Sequence, residues 1–183
     1  MAKIEVPYDR YVREMLRVLN ESGILLVSLD QKGRANAMAI GWAQIGIIWG
    51  RQILNVMVRP SRYTHGCIEA TRDFTVCVPY EEQREAVNFC GSTSGRDHDK
   101  FKECGLTATP GQTVKSPYIE ECGLCYECRV VNSNDFLPDD LAPDVCSACY
   151  LGGDYHRVYF GEILRVVADE DFEKRLGSQR SPE

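Results

Sequence analysis

The chain has 183 residues, 44% of them hydrophobic, and a formal net charge of -6. That is enough apolar content for one domain with its own core and argues against disorder, while the acidity disfavours nucleic acid as a partner. No run approaches the length of a membrane span and no apolar signal core opens the chain, so a cytoplasmic location is expected, where nine cysteines read as thiols or ligands rather than disulfides.

Between Pro7 and Ser22 the apolar residues Val12, Met15, Leu16 and Leu19 recur at helical spacing, and Gly23 marks the stop. This predicts an opening helix. Ile24 to Leu29 reads as a buried strand, followed by a hairpin turn over Asp30 to Gly33. Ala35 to Ile47 continues as strand with Gly41 and Gly46 inside it, and a glycine in a strand often marks close approach to the backbone. The stretch Asn36, Ala37, Met38, Ala39, Ile40, Gly41, Trp42 is therefore a candidate contact surface for a flat, hydrogen-bonding heterocycle. A core strand making room for a helix fits the same residues.

Ile53 to Val58 is a further apolar strand, Tyr63 to Thr71 a short helix, Asp73 to Val78 a strand of β formers and Glu81 to Phe89 a helix. Cys90 to Phe101 is a Gly/Ser loop ending in charges, and it matches neither the P-loop nor the Rossmann fingerprint. Tyr118 to Val131 is strand-like, Asn132 to Pro143 a polar connection, and His156 to Ala168 a closing strand interrupted by Gly161. Asp169 to Leu176 adds a helical turn or two before a frayed tail from Gly177. Many short strands without a βαβ rhythm predict a mostly antiparallel barrel with helical decorations.

The sharpest local feature lies where the run ending at Arg59 meets Pro60. From Arg51 to Thr64 there are three arginines and no acid, a basic island in an acidic chain. Pro60 ends the strand, and Ser61, Arg62, Tyr63 and Thr64 lead into the helix. Hydroxyls, guanidinium groups and the N–H groups of a helix start together suit a phosphate.

The cysteines leave several readings open. Cys122, Cys125 and Cys128 begin an iron–sulfur run, but its fourth position is Asn132. Cys125-x-x-Cys128 and Cys146-x-x-Cys149, 17 residues apart, fit a zinc ribbon, whereas strand geometry would turn Cys125 and Cys128 to opposite faces. Ordinary thiols and a dithiol redox pair fit as well. Of the three histidines, His156 is the candidate for a polar group facing a cavity, and no hydrolytic triad or nucleophile elbow is visible.

Three stretches taken together resemble the flavin reductase-like family, the FMN-binding split β-barrel proteins that include the flavoredoxins. They are Asn36 to Trp42; Val58-Arg-Pro-Ser-Arg-Tyr-Thr64 with Phe74-Thr-Val; and Ser94-Gly-Arg-Asp97 with Asp99-Lys-Phe101. The resemblance implies a single mostly-β domain with α decorations, a split antiparallel β-barrel over residues 1–168, with 169–183 as a C-terminal tail. It implies FMN, its phosphate on Ser61, Arg62 and Thr64, with Arg59, Tyr63, Ser94, Asp97 and Lys100 nearby, and its ring along Asn36 to Trp42. It also implies an oxidoreductase or electron carrier, a homodimer served by NAD(P)H or a redox partner protein, and no bound metal. A non-enzymatic flavin-binding module, or one stapled by zinc on Cys125, Cys128, Cys146 and Cys149, is the alternative. Many members carry Gly-Asp-His, whereas here Tyr155 separates Asp154 from His156.

Overall fold

A computed structural model describes residues 3–178. A strand precedes the expected helix: β1 (Lys3–Glu5) pairs antiparallel with the far end of the chain, Ile4 opposite Ala168, a long-range pairing that local periodicity does not encode. α1 (Val12–Glu21) starts later than Pro7 and buries Met15, Val18 and Leu19 on one face; Gly23 stops it at φ +81°, a conformation that a Cβ disfavours. β2 (Ile24–Leu29) has the bounds its apolar run predicts. The stretch from Ala35 divides at Gly41–Trp42 into β3 (Ala35–Ile40) and β4 (Ala43–Ile48), and β5 (Arg51–Val58) follows.

Next come α2 (Tyr63–Thr71), β6 (Asp73–Val78), α3 (Arg84–Ser92) and the single turn α4 (Lys100–Glu103). Two short strands, β7 (Ala108–Thr109) and β8 (Tyr118–Ile119), pair with each other. β9 (Leu124–Asp135) runs further into the expected polar connection than its composition suggests, because its end pairs residue by residue with the long β10 (Arg157–Asp169). Between them stands α5 (Pro143–Cys149), and α6 (Phe172–Ser178) closes the described chain. The expected barrel–tail boundary at 168/169 falls inside β10, and Phe172 and Leu176 pack into the core, so the domain extends through α6. Residues 179–183 of the expected tail lie outside the described residues.

The main sheet is antiparallel in the order β3-β2-β6-β9-β10-β5-β4, with β1 beside β10. One face of nearly every strand converges on a single cluster that includes Leu26, Leu54, Phe74, Tyr126 and Tyr159. The sheet thus curls around its own core as a barrel left open between β3 and β4. A second cluster on the outer face, with Leu25, Val27, Ala37, Cys77, Cys125, Val87 and Phe101, packs α3 and α4 against the sheet. This two-sided burial explains why β2 reads as one continuous apolar run.

Gly161 marks a shift of register between β10 and β9, where Phe160 stands opposite Asn132 and Gly161 opposite Val130. A Cβ there would overlap the Phe74 ring and crowd Cys128 and the Leu54 carbonyl. Gly161→Ala should therefore destabilise the domain by about 1–3 kcal/mol. The check is a urea titration, with the midpoint lowered and the slope unchanged; an unshifted midpoint would contradict this packing.

Candidate functional site

The site grows from the junction that Pro60 creates. Proline has no N–H to continue the ladder, so β5 ends and the chain turns through Arg62 N–H donating to the Arg59 carbonyl (3.0 Å). Arg62, extended at φ -75° and ψ 141°, is the N-cap of α2 and offers no side-chain cap, and no acid stands in the first turn. The N–H groups of Tyr63 and Thr64 therefore precede the first hydrogen-bonded turn and suit an anion. Among the described residues the Arg62 guanidinium has no protein hydrogen bond or ion pair.

Around this helix start lies a cavity of about 150 Å³ walled by Asn36, Ser61 to Thr64, the loop from Ser92 to Arg96, and Lys100. Asn36 is nearly buried; its Nδ2 donates to Thr64 Oγ1 (2.9 Å), and its Oδ1 is buried without a partner. Gly95 lies so close to Asn36 Oδ1 that no side chain fits there. The Tyr63 hydroxyl donates to Asp30 (3.1 Å), in the hairpin turn after β2. Although burial works against it, hydrogen bonds from Arg34, Lys32 and Tyr63 hold the Asp30 carboxyl down at about 2. Arg96 lies over the Tyr63 ring and donates to the Ser61 carbonyl (3.2 Å).

A second cavity of about 220 Å³ adjoins the first, with Met38, Arg62 and Gly91 in both walls. Met38 to Trp42, Met57, Arg59 and His156 complete it. Trp42 is partly exposed, its ring 4.8 Å from that of His156. His156 Nδ1 is 2.7 Å from the Tyr150 hydroxyl. Burial, reinforced by the positive charges of Arg59 and Arg62, pushes the His156 imidazole down to about 4, so it is neutral at pH 7.

The segment between β9 and β10 straps over this end. Arg59 donates to the carbonyls of Cys149 (2.8 Å), Asp154 (2.9 Å) and Gly153 (3.3 Å), and its guanidinium lies over the Tyr150 ring. Asp154 accepts from Ser61 Oγ (2.5 Å) and from the Ser61 N–H (3.2 Å). Burial opposes ionisation of Asp154, yet these two bonds keep its carboxyl below the usual range.

The structure thus brings together Asn36, Met38 to Trp42, Arg59, Ser61 to Thr64, Ser94, Lys100 and His156. Ala37 and Asp97 line neither cavity: Ala37 is buried in the outer cluster, and the Asp97 N–H donates to the Ser94 carbonyl. Three residues take roles that the sequence does not reveal. Arg59 and the Ser61 hydroxyl hold the strap. Lys100 is buried with its ammonium on the Ala37 and Cys90 carbonyls (both 2.9 Å), leaving one N–H. Met57, Gly91 and Arg96 join the walls; Arg96 stands inside the Ser94–Asp97 motif, whereas nothing in the sequence singles out Met57.

The zinc-ribbon pairing does not hold. Cys125 packs in the outer cluster and Cys128 inside the barrel, on opposite faces of β9 as strand period requires, so they cannot share one ion.

Comparison with known proteins agrees with the fold. The family model "Flavin reductase like domain" matches residues 17–181. An uncharacterised protein of Archaeoglobus fulgidus is 32% identical over 148 residues, 81% of this chain and 72% of that one. Among solved structures, flavoredoxin of Desulfovibrio vulgaris (Miyazaki F) is 26% identical with a TM-score of 0.66, covering 81% of this chain and 70% of that one. Flavoredoxin from Methanosarcina acetivorans is likewise 26% identical with a TM-score of 0.66, over 93% of this chain and 77% of that one. No helix among the described residues is long and apolar enough to cross a membrane.

The neutral state of His156 has a pH signature. Its folded value near 4 lies below the ordinary 6.5, so between those values the unfolded chain binds more protons. Its contribution to stability is complete above about pH 6.5 and is lost as pH falls toward 4. Urea midpoints at pH 7 and pH 5 should therefore drop further in the wild type than in His156→Gln; equal drops would contradict this assignment.

Proposed function

This chain belongs to the flavin reductase-like family, and we propose that it is an FMN-dependent redox protein that passes hydride or electrons from a reduced donor to an acceptor. The observation that carries this reading is the pairing of an uncapped helix start beside an unpaired guanidinium with a buried orphan acceptor, Asn36 Oδ1, in the wall of the first of two adjoining cavities. A phosphate fits the first, since the Tyr63 and Thr64 N–H groups and Arg62 supply charge-assisted donors. Asn36 Oδ1 needs a donor, and a polyol hydroxyl is one. The thinned backbone of Ala39 to Gly41, flanked by Trp42 and Gly91, leaves room for a flat ring.

FMN, when bound, supplies the hydride and electron chemistry. The chain's own residues bind, orient and shield. Arg62 and the start of α2 grip the dianionic end, about -1.5 to -2 charges at neutral pH. The strap, clamped by Arg59 and Ser61, limits water at the other end, and neutral His156 offers a hydrogen-bonding imidazole there without adding charge. The absence of any further acid–base constellation in the cavity walls suits a protein whose chemistry resides in its cofactor.

A cytoplasmic homodimer completes the proposal. Ile47 and Trp49 are 58% and 60% exposed on or beside the edge strand β4, an apolar surface suited to a second copy. NAD(P)H or a redox protein is the donor. Anaerobic NADH or NADPH that bleaches the flavin-loaded protein within seconds identifies the nucleotide, and persistent yellow colour identifies a protein donor.

Arg62→Ala should weaken FMN binding by roughly 10- to 150-fold, the loss of one charged hydrogen bond, while leaving riboflavin binding nearly unchanged. Fluorescence titration with both flavins measures this. Equal losses for the two would refute the phosphate assignment.

A further inference from the structure

Among the nine cysteines, six are buried in the two clusters or on the inner face of α2, and Cys104, Cys146 and Cys149 are partly exposed. Two of those three stand in one motif on one element, Cys146-Ser-Ala-Cys149 in α5. The flavin-site reading makes no use of their sulfurs. In a helix, residues three apart are separated by three rises of ~1.5 Å on a radius of ~2.3 Å, a Cα distance of about 5 Å. That is inside the ~4.4–6.8 Å span of a disulfide. Both side chains lie on the same side of the helix, as residues at this spacing do.

The surroundings favour exchange between these two sulfurs. α5 ends at Cys149, and Tyr150 has already left helical geometry at φ -135°, so the last turn can adjust as the two sulfurs approach. Arg59 donates to the Cys149 carbonyl at 2.8 Å, a single tether that keeps the helix end beside the barrel. The Tyr155 hydroxyl lies 3.8 Å from Cys146 Sγ, where it can donate to a thiolate. No carboxylate is bonded to either sulfur among the described residues. With Cys125 and Cys128 turned to opposite faces of β9, this pair has no second Cys-x-x-Cys to form a metal site with.

We propose that Cys146 and Cys149 form a thiol–disulfide exchange couple on the strap, whose co-reactant is a low-molecular-weight disulfide. One cysteine, as thiolate, attacks a sulfur of the small disulfide, forming a protein mixed disulfide and releasing one thiolate. The second cysteine, losing its proton to water, displaces the remaining small thiol and closes Cys146–Cys149. Two protein thiols are oxidised, one small disulfide is reduced to two thiols, and no other oxidant is needed. This goes beyond the flavin reading and stands without it.

The test incubates the full-length protein with glutathione buffers of graded oxidation, quenches with acid, alkylates under denaturing conditions and maps the peptides by mass spectrometry. The expected product is an intramolecular Cys146–Cys149 bond that replaces two alkylations and reverses on returning to reduced glutathione. Cys146→Ser and Cys149→Ser should each stop at a glutathione adduct on the surviving cysteine. Cys104→Ser should oxidise as the wild type does. Persistent glutathione adducts on Cys146 or Cys149 in the wild type, full alkylation of both at every ratio, or a disulfide to any other cysteine would each overturn the proposal. The readout needs no flavin, so its failure leaves the FMN reading intact, and loss of FMN binding leaves this one intact.

Discussion

The constraint on which the site depends is the missing N–H of Pro60. β5 pairs with β10 through Val58 opposite Arg157, and then the ladder has no donor to continue it. The chain must turn, and two arginines three residues apart flank that turn. Arg59 faces the strap and uses its planar fork on three backbone carbonyls. Among the described residues Arg62 stays unpaired, against both cavities. One proline thus sets a structural and a cavity-facing guanidinium side by side, and α2 begins just after them with its first N–H groups uncommitted.

Much of this was legible in the sequence because its signals are local. β2, α2 and β6 have the limits that their apolar runs, Gly23 and Pro60 predict. The end of the basic island, Arg59 to Thr64, and the small residues before Trp42 both fall in the walls of the two cavities. Glycine 161 was visible as an interruption of the closing strand, and the bulge with Phe74 packed against it is the physical reason.

The rest was hidden because it depends on contacts far apart in the chain. β1 exists only because it pairs with β10, across more than 160 residues. No spacing rule announces that Asp154 will take the Ser61 hydroxyl, or that Arg59 will turn to Cys149, 90 residues away. Lys100 shows the same limit: composition offers it as a phosphate ligand, whereas the buried carbonyls of Ala37 and Cys90 claim two of its three N–H groups. Strand alternation already stood against the zinc-ribbon spacing in the sequence, and with β9 a strand it separates the two cysteines.

These separate contacts add up to a gradient along the joined cavities. At the α2 end the walls offer N–H groups, Arg62 and the remaining N–H of Lys100. At the strap end, Arg59 is engaged with carbonyls, Asp154 is engaged with Ser61, and His156 is kept neutral by burial and by the same two arginines. Uncommitted donors are therefore concentrated at one end, while aromatic and thinned-backbone surface, with a neutral imidazole, makes up the other. A ligand that is dianionic at one end and a flat, neutral heterocycle at the other can lie in only one direction along such a gradient, because reversal would bury its charge against Trp42 and leave the α2 donors facing an apolar ring. In the proposed reading, orientation thus follows from how the chain divides its guanidinium groups between its own carbonyls and the ligand.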